Sequence, residues 1–256
     1  MDIIGLIPAS GAATRIQPIP CSKELLPIGF QQHSDGSESA RVISQNMVDA
    51  YLRAGASRIF FIIRKGKWDI PAYYGDGSSF GTEMAYLIMN RPYGIPYTLD
   101  QAHAYVQNAL TLLGFPDMLI EPEDAFLQLV EKQKETKADV VLGIFPILDE
   151  SQKKKVDMVE IDENGNILDI QVKPPETDLT YSWATACWTP NFSRYMHEYL
   201  EQDEQKFIEN PDAAETYPGH IILEAIKAGM KVSSVVFEKG SFTDLGTPEK
   251  LREIFR

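Results

Sequence analysis

The amino-terminal part of the chain carries two apolar runs with no polar interruption, separated by a helical pattern. Ile3-Ile4-Gly5-Leu6-Ile7-Pro8 stops at the small residues Ala9-Ser10-Gly11-Ala12-Ala13, and Arg58-Ile59-Phe60-Phe61-Ile62-Ile63 is rich in β-branched and aromatic residues. A strand that is apolar at every position has no solvent face, so it belongs in a sheet covered on both sides. Between the runs, Ser44 to Ala54 places Met47, Val48, Tyr51 and Leu52 at helical spacing, and Ala54-Gly55-Ala56 supplies the stop. A strand, a helix and a strand in that order form a crossover unit, which builds parallel sheets flanked by helices.

The alternation continues. Glu83 to Leu87 reads as a short strand, Leu99 to Leu113 as a helix with Ala102, Val106, Ala109, Leu110 and Leu113 on one face, and Asp117 to Ile120 as the end of another strand. Ala125 to Thr136 reads as a helix and Asp139 to Phe145 as a buried strand. Val156 to Ile161 and Ile167 to Val172 then flank Asp162-Glu163-Asn164-Gly165-Asn166, the pattern of a β-hairpin. A strand through Trp183 to Trp188 follows, then helices near Asn191 to Leu200 and His220 to Ala228, a strand at Lys231 to Phe237 and a last helix from Pro248. With no linker, repeat or low-complexity segment, the expectation is a single α/β domain over residues 1–256: a Rossmann-like, mixed and mostly parallel sheet flanked by helices.

Charge narrows the partners. Lys plus Arg number 24 against 37 Asp plus Glu, a formal net charge of −13. Binding a nucleic-acid backbone or an anionic membrane surface calls for a basic footprint, so neither nucleic acid nor membrane is an expected partner. No stretch approaches the ~18 apolar residues of a membrane span, and the first apolar run is short and lacks the basic flank of a secretion signal. Cys21 and Cys187 form no C-x-x-C pair, and His33, His103, His197 and His220 show no H-x-x-x-H spacing. Disulfides and zinc are therefore not expected, and a reducing, cytoplasmic location is.

The segment richest in chemistry runs from Pro8 to Ile28. A strand ending in small residues lets the backbone approach a ligand closely, and exposed N–H groups there can cradle phosphate oxygens. Arg15 adds a fork of donors suited to a pyrophosphate, and Lys23 a compact point charge on a flexible stem. Neither G-x-x-x-x-G-K-[ST] nor G-x-G-x-x-G is present, which excludes the P-loop and the dinucleotide fingerprint. Near the other end, Asp244 precedes Gly246-Thr247-Pro248, where Thr247 as N-cap and Pro248 as first helical residue make a helix start.

Taken in order, these segments resemble the sugar-phosphate nucleotidyltransferases, the sugar-nucleotide pyrophosphorylases of the glucose-1-phosphate thymidylyltransferase type. The family pattern G-x-G-T-R-L-x-P, then P-K-x-L-x-P-[VI], stands here as G-A-A-T-R-I-Q-P and C-S-K-E-L-L-P-I, with Ala13 at the second glycine and Ser22 at the proline before the lysine. Tyr74-Gly75-Asp76-Gly77-Ser78-Ser79-Phe80-Gly81 with Tyr86, Pro92-Tyr93-Gly94-Ile95 with Ala102, and Val172-Lys173-Pro174 resemble later landmarks. Phe242-Thr243-Asp244-Leu245-Gly246-Thr247-Pro248 matches the family's aromatic-x-D-x-G-T-P almost letter for letter. The likeness spans about residues 3 to 252.

The resemblance implies a nucleotide-diphospho-sugar transferase fold in which the β-hairpin forms a sugar-binding subregion. It implies Mg²⁺-dependent transfer of a nucleotidyl group from a nucleoside triphosphate to a sugar-1-phosphate, and leaves room for a homo-oligomer. Both reactants are anions, so the chemistry needs charge neutralisation and in-line positioning more than a protein base. Carried over residue by residue, Ala9, Ser10, Gly11, Ala12, Ala13, Thr14, Met89 and Gly94 hold the nucleotide, and Arg15 and Lys23 the β and γ phosphates. Lys173 contacts the phosphate of the sugar phosphate, with Val172, Trp183 and Ala184 along the sugar. Asp117 and Asp244 ligate Mg²⁺, both expected at the carboxyl ends of sheet strands.

The departures bear on specificity. Met89, with Asn90 beside it, stands where relatives carry a glutamine that reads a pyrimidine, and Val172 replaces the glutamate of E-K-P. Tyr181 to Trp188 stands in for S-N-x-A-x-x-G-x-Y. These losses keep two alternatives open: a non-sugar phosphorylated acceptor, phosphocholine- or phosphonate-like, and a non-catalytic nucleotide-sensing module. Gln31 to Ser39 reads as a polar insertion, either flap or surface loop.

Overall fold

The structure, a computed structural model, describes residues 1–32, 35–90, 93–147, 149–210 and 212–254. The first apolar run forms β1 (Asp2–Ala9), and after two short 3-10 turns comes an antiparallel hairpin of β2 (Pro27–Gln32) and β3 (Glu38–Val42). Helix α1 (Gln45–Arg53) and strand β4 (Arg58–Ile63) complete the expected crossover, with β1 and β4 parallel from Ile4 beside Arg58 to Ala9 beside Ile63. The chain continues through α2 (Asp69–Tyr74), β5 (Glu83–Ile88), α3 (Ile95–Asp100), α4 (His103–Val106), β6 (Ala109–Leu113) and β7 (Met118–Glu121). Then come α5 (Ala125–Thr136), β8 (Val140–Pro146), α6 (Glu150–Lys153) and the hairpin of β9 (Met158–Ile161) and β10 (Ile167–Gln171). The remainder is β11 (Tyr181–Trp188), α7 (Pro190–Glu209), α8 (Pro218–Lys227), β12 (Val232–Val236), β13 (Ser241–Asp244) and α9 (Pro248–Ile254).

The main sheet runs β10-β9-β11-β6-β1-β4-β5, with β8 joining β11 to β12. Its β6-β1-β4-β5 half is wholly parallel, and β11 reverses direction against β6. Both faces are covered, which is why the strands read as unbroken apolar runs. Ile4, Leu6, Phe60 and Ile62 belong to one buried cluster, and Ile7, Ala9, Ile59, Phe61 and Ile63 to another. From β1 the chain steps outward to β4 and β5, then returns to β6 on the other side of β1. The carboxyl end of β1 thus opens at the point of reversal, where open α/β sheets bind ligands.

One tyrosine fixes the geometry there. A Cβ on Gly5 would lie 2.2 Å from Tyr51 Cδ2, so glycine makes room for the ring of α1 against β1. The Tyr51 hydroxyl donates to Leu6 O at 2.8 Å and accepts from Gly114 N at 2.5 Å, tying β1 to the turn after β6.

Two expectations fail. The helix foreseen over Leu99 to Leu113 is α3 and α4 followed by a strand. Ala109, Leu110 and Leu113 do satisfy a helical period, but Ala109-Leu110-Thr111-Leu112-Leu113 is also a five-residue run buried at every position. It pairs with β1 on one side and β11 on the other, and that ladder prevails over the local period. The stretch Gln31 to Ser39 is not simply a loop: Gln31 pairs with Ser39 and Gln32 with Glu38 in the β2–β3 hairpin. Its largely exposed faces gave no apolar alternation to read. His33 and Ser34, like Pro92, lie outside the described residues.

Candidate active site

Beyond β1 the small-residue loop borders a cleft of about 460 Å³. Ser10, Gly11 and Ala12 line it, whereas Ala9 is buried in the core beneath. Ser10 Oγ lies 3.0 Å from Thr98 Oγ1 of α3, closing the loop onto the opposite wall. Ala13 adopts a left-handed backbone with φ 55° and ψ 31°, a conformation that disfavours any residue with a Cβ by about 1 kcal/mol, where the family pattern has glycine. Thr14 is exposed in the following 3-10 turn.

Met89 borders the cleft but is 3% exposed and part of the core, while its neighbour Asn90 lies exposed on the cleft wall. Gly94 lines the same cleft at φ 113°, and a Cβ on it would fall 2.3 Å from Thr216 O. Backbone conformation and packing both require glycine there.

A second cleft of about 420 Å³ is lined by Arg15, Asp157, Lys173, Trp183, Tyr217 and Asp244, among others. Lys23, Ile95, Phe115 and Asp117 line both clefts and so form their common wall. A third recess of about 400 Å³ shares Ala12, Lys23 and Arg64 with the first and adds Lys67 and Asp69. It gathers positive charge beside the loop.

The two candidate metal aspartates come together through the small antiparallel sheet of β7 and β13. Asp244 sits opposite Met118, and Leu245 N donates to Asp117 O at 2.8 Å. The expectation that both stand at the carboxyl ends of sheet strands holds for Asp244 and not for Asp117. Gly114-Phe115-Pro116 carries the chain away from β6, so Asp117 stands just before β7, and Asp244 is the last residue of β13.

Each carboxylate is paired with a cation. Lys23 Nζ donates to Asp117 Oδ2 in a short contact, and Arg15 Nη2 to Asp244 Oδ2 at 3.1 Å. Gly246 keeps the space between them open. A Cβ built on it would sit 2.7 Å from Asp117 Oδ2, 3.0 Å from Asp244 Oδ1 and 3.1 Å from Arg15 Nη2. Two carboxylates facing one point suit a hard divalent ion with oxygen ligands, so these residues fit Mg²⁺. Because the obstructing atoms are side-chain ends, Gly246→Ala is expected to keep the fold while lowering Mg²⁺ affinity by about tenfold or more. Calorimetric titration beside far-UV circular dichroism checks both halves.

The turn carrying Lys23 is braced from below. Glu24, fully buried, accepts from Lys67 Nζ at 2.7 and 2.8 Å through its two oxygens. Burial pushes the Glu24 carboxyl up against the opposing pull of Lys67, and pushes the Lys67 ammonium down against that of Glu24. Ser22 donates through N at 2.6 Å and Oγ at 2.7 Å to Asp69. Burial would raise the Asp69 carboxyl, but these bonds outweigh it and hold it low. Glu24, Arg64, Lys67 and Asp69 were missed in the sequence. For the last three a signal existed, since they follow the carboxyl end of the strongest apolar strand.

On the acceptor side, Lys173 takes a left-handed backbone with φ 43°, and its Nζ stands 3.7 Å above the centre of the Tyr217 ring. Burial raises the nearby Asp157 carboxyl, with Lys173 pulling it down. Trp183 is both core and cleft wall. Val172 packs against the core, close to Gly219, and Ala184 is buried with Phe145 and Phe237, so neither forms part of the lining of that cleft.

A family model described as nucleotidyl transferase matches residues 4–256. A glucose-1-phosphate thymidylyltransferase of Streptomyces antibioticus is 23% identical over 98% of this chain and 65% of its own length. A low-salt glycan biosynthesis nucleotidyltransferase of Haloferax volcanii is 24% identical over 97% of this chain and 64% of its own. The chain thus spans a little under two thirds of the length of these curated relatives. A crystal structure of UDP-glucose pyrophosphorylase complexed with UDP-glucose superposes with a TM-score of 0.78 at 18% identity, covering 99% of this chain and 97% of that one. Among the described residues no helix is long and apolar enough to cross a membrane.

Proposed function

From the premise that the chain belongs to the nucleotidyl transferase family, we propose that it moves a nucleotidyl group from a nucleoside triphosphate to a sugar-1-phosphate, releasing pyrophosphate. The observation that carries this reading is the common wall of the two clefts, where Lys23 and Asp117 stand with Arg15 and Asp244 beside them. In this reading the nucleoside lies in the first cleft, along Ser10 to Ala12, Asn90 and Gly94. The β and γ phosphates meet Arg15 and Lys23, with the third recess, which Arg64 and Lys67 also line, behind them. Lys173 orients the acceptor phosphate. An acceptor oxygen attacks the α-phosphorus, the bond from that phosphorus to the bridging oxygen breaks, and pyrophosphate leaves with the electron pair.

Asp117 and Asp244 would hold Mg²⁺, which would supply charge neutralisation between the phosphates. The protein residues do the rest by position: cations on the leaving group gain strength as its charge grows, so their contribution falls on the barrier. We read the whole chain as one such domain.

The test is pyrophosphate release from each nucleoside triphosphate with a panel of sugar-1-phosphates and Mg²⁺. The triphosphate that reacts is also expected to raise the melting temperature most, since binding to the native state adds to its stability. Binding with no release for any pair would favour a nucleotide-sensing module. A second reading rests on the aromatic walls Trp183, Tyr217 and Phe242 and the half-buried Asp157, which suit an acceptor with an apolar or cationic head. Phosphocholine belongs in the panel for that reason.

A further inference from the structure

At the end of α3 away from the nucleotide cleft, helices α3, α4 and α7 bring three metal-ligating side chains together. One donor atom from each of Asp100, His103 and His197 lies within 4.8 Å of the others, and all three side chains are half-buried. The two imidazole rings stack with centres 3.9 Å apart and planes 9° from parallel. His197 Nδ1 lies 3.0 Å from each Asp100 oxygen. His103 Nδ1 is buried with no hydrogen-bond partner, which is an expensive position for an imidazole nitrogen. One turn beyond His197, Glu201 Oε1 stands 3.7 Å from His197 Nε2. The group opens on a cleft of about 470 Å³ that shares no lining residue with the clefts around Lys23.

We infer that Asp100, His103 and His197 bind a borderline divalent transition metal of the zinc class, separate from any Mg²⁺ at Asp117 and Asp244. Two imidazoles and one carboxylate favour Zn²⁺, Co²⁺ or Ni²⁺ over Mg²⁺, which prefers oxygen ligands alone. The ion takes the place of the proton shared by His197 and Asp100 and gives His103 Nδ1 the partner it lacks. Ligation would turn the two rings out of their parallel stack, so that both nitrogen lone pairs meet at one point. Histidines at 103 and 197 are too far apart in sequence to show any ligand spacing, so the absence of H-x-x-x-H excluded only a single-helix site.

The placement suggests what the ion does. Asp100 ends α3, whose start at Gly94 lines the nucleotide cleft and whose Thr98 meets Ser10. A metal joining Asp100 and His103 to His197 pins that helix to α7, so it stiffens one wall of the cleft without entering it.

The test uses the full chain stripped of metal. Co²⁺ titration is expected to give visible d–d absorption at one equivalent, and Zn²⁺ at about a hundredfold excess over its Kd to raise the melting temperature by about 5 °C or more. Mg²⁺ at the same concentration should give neither effect. His103→Ala, His197→Ala and the milder Asp100→Asn should each abolish both, with far-UV circular dichroism confirming the fold, whereas Asp244→Asn should leave both intact. Absence of the cobalt bands, or bands and a zinc shift that persist in the histidine variants, would overturn the assignment.

Discussion

Asp117→Asn and Asp244→Asn are each expected to lower kcat by about a thousandfold, the equivalent of about 4 kcal/mol of barrier. Asparagine keeps the size and one oxygen, so the space around Gly246 survives and only the charge is removed. The reaction as proposed brings an anionic acceptor against an anionic triphosphate, and an ion held by these carboxylates would supply the neutralisation that lets them approach. The two variants should differ in their side effects. Asp117 is 7% exposed and partners the half-hidden Lys23, so its loss strands a buried cation and should also lower the melting temperature. Asp244 pairs with Arg15 at a site more than a third exposed on each side, and its loss should leave stability nearly unchanged. Steady-state kinetics with thermal melts on both variants make the comparison. Unchanged turnover in either would remove that aspartate from the chemistry.

The largest effect on stability is expected away from the reacting atoms. Glu24→Gln or Lys67→Met should each cost about 3–5 kcal/mol, because either leaves a buried charge without its partner. For a chain of this length that is a fall of roughly 10 °C in melting temperature. The double variant is expected to lose less than either single. Burial raises the Glu24 carboxyl and lowers the Lys67 ammonium, so the protein holds both charges at a desolvation cost that neutral side chains escape. A double-mutant cycle by denaturant melts measures the coupling, and single losses below about 1 kcal/mol would show the pair to be dispensable.

How much of this was legible depended on whether a signal lay along the chain or across it. β1, β4 and β8 were readable because burial on both faces leaves continuous apolar runs, and α5 because one face is apolar at helical spacing. β6 was misread since a five-residue apolar run fits either period, and only its neighbours in the sheet decide. The hairpin of β2 and β3 was missed because it is largely exposed and leaves no apolar alternation. At the site, Arg15, Lys23, Asp117, Lys173 and Asp244 were named chiefly through the family resemblance, and all five line one cleft. Glu24 and Lys67 stand forty-three positions apart, and Asp157 and Tyr217 sixty, so no window contains either pair. Ala184 and Val172, carried over as motif positions, have side chains that pack against the core here.

The paired charges at the common wall set an order of events. Arg15 and Lys23 each already rest against a carboxylate, so neither cation waits open for an anion. A triphosphate arriving without metal would pull both cations away and leave two carboxylates facing it. A metal ion arriving without triphosphate would satisfy the carboxylates and strand the cations. A metal–triphosphate complex entering as one unit would give every charge a new partner in a single exchange. In the reaction as proposed, the wall would thus favour the complete complex over either half of it.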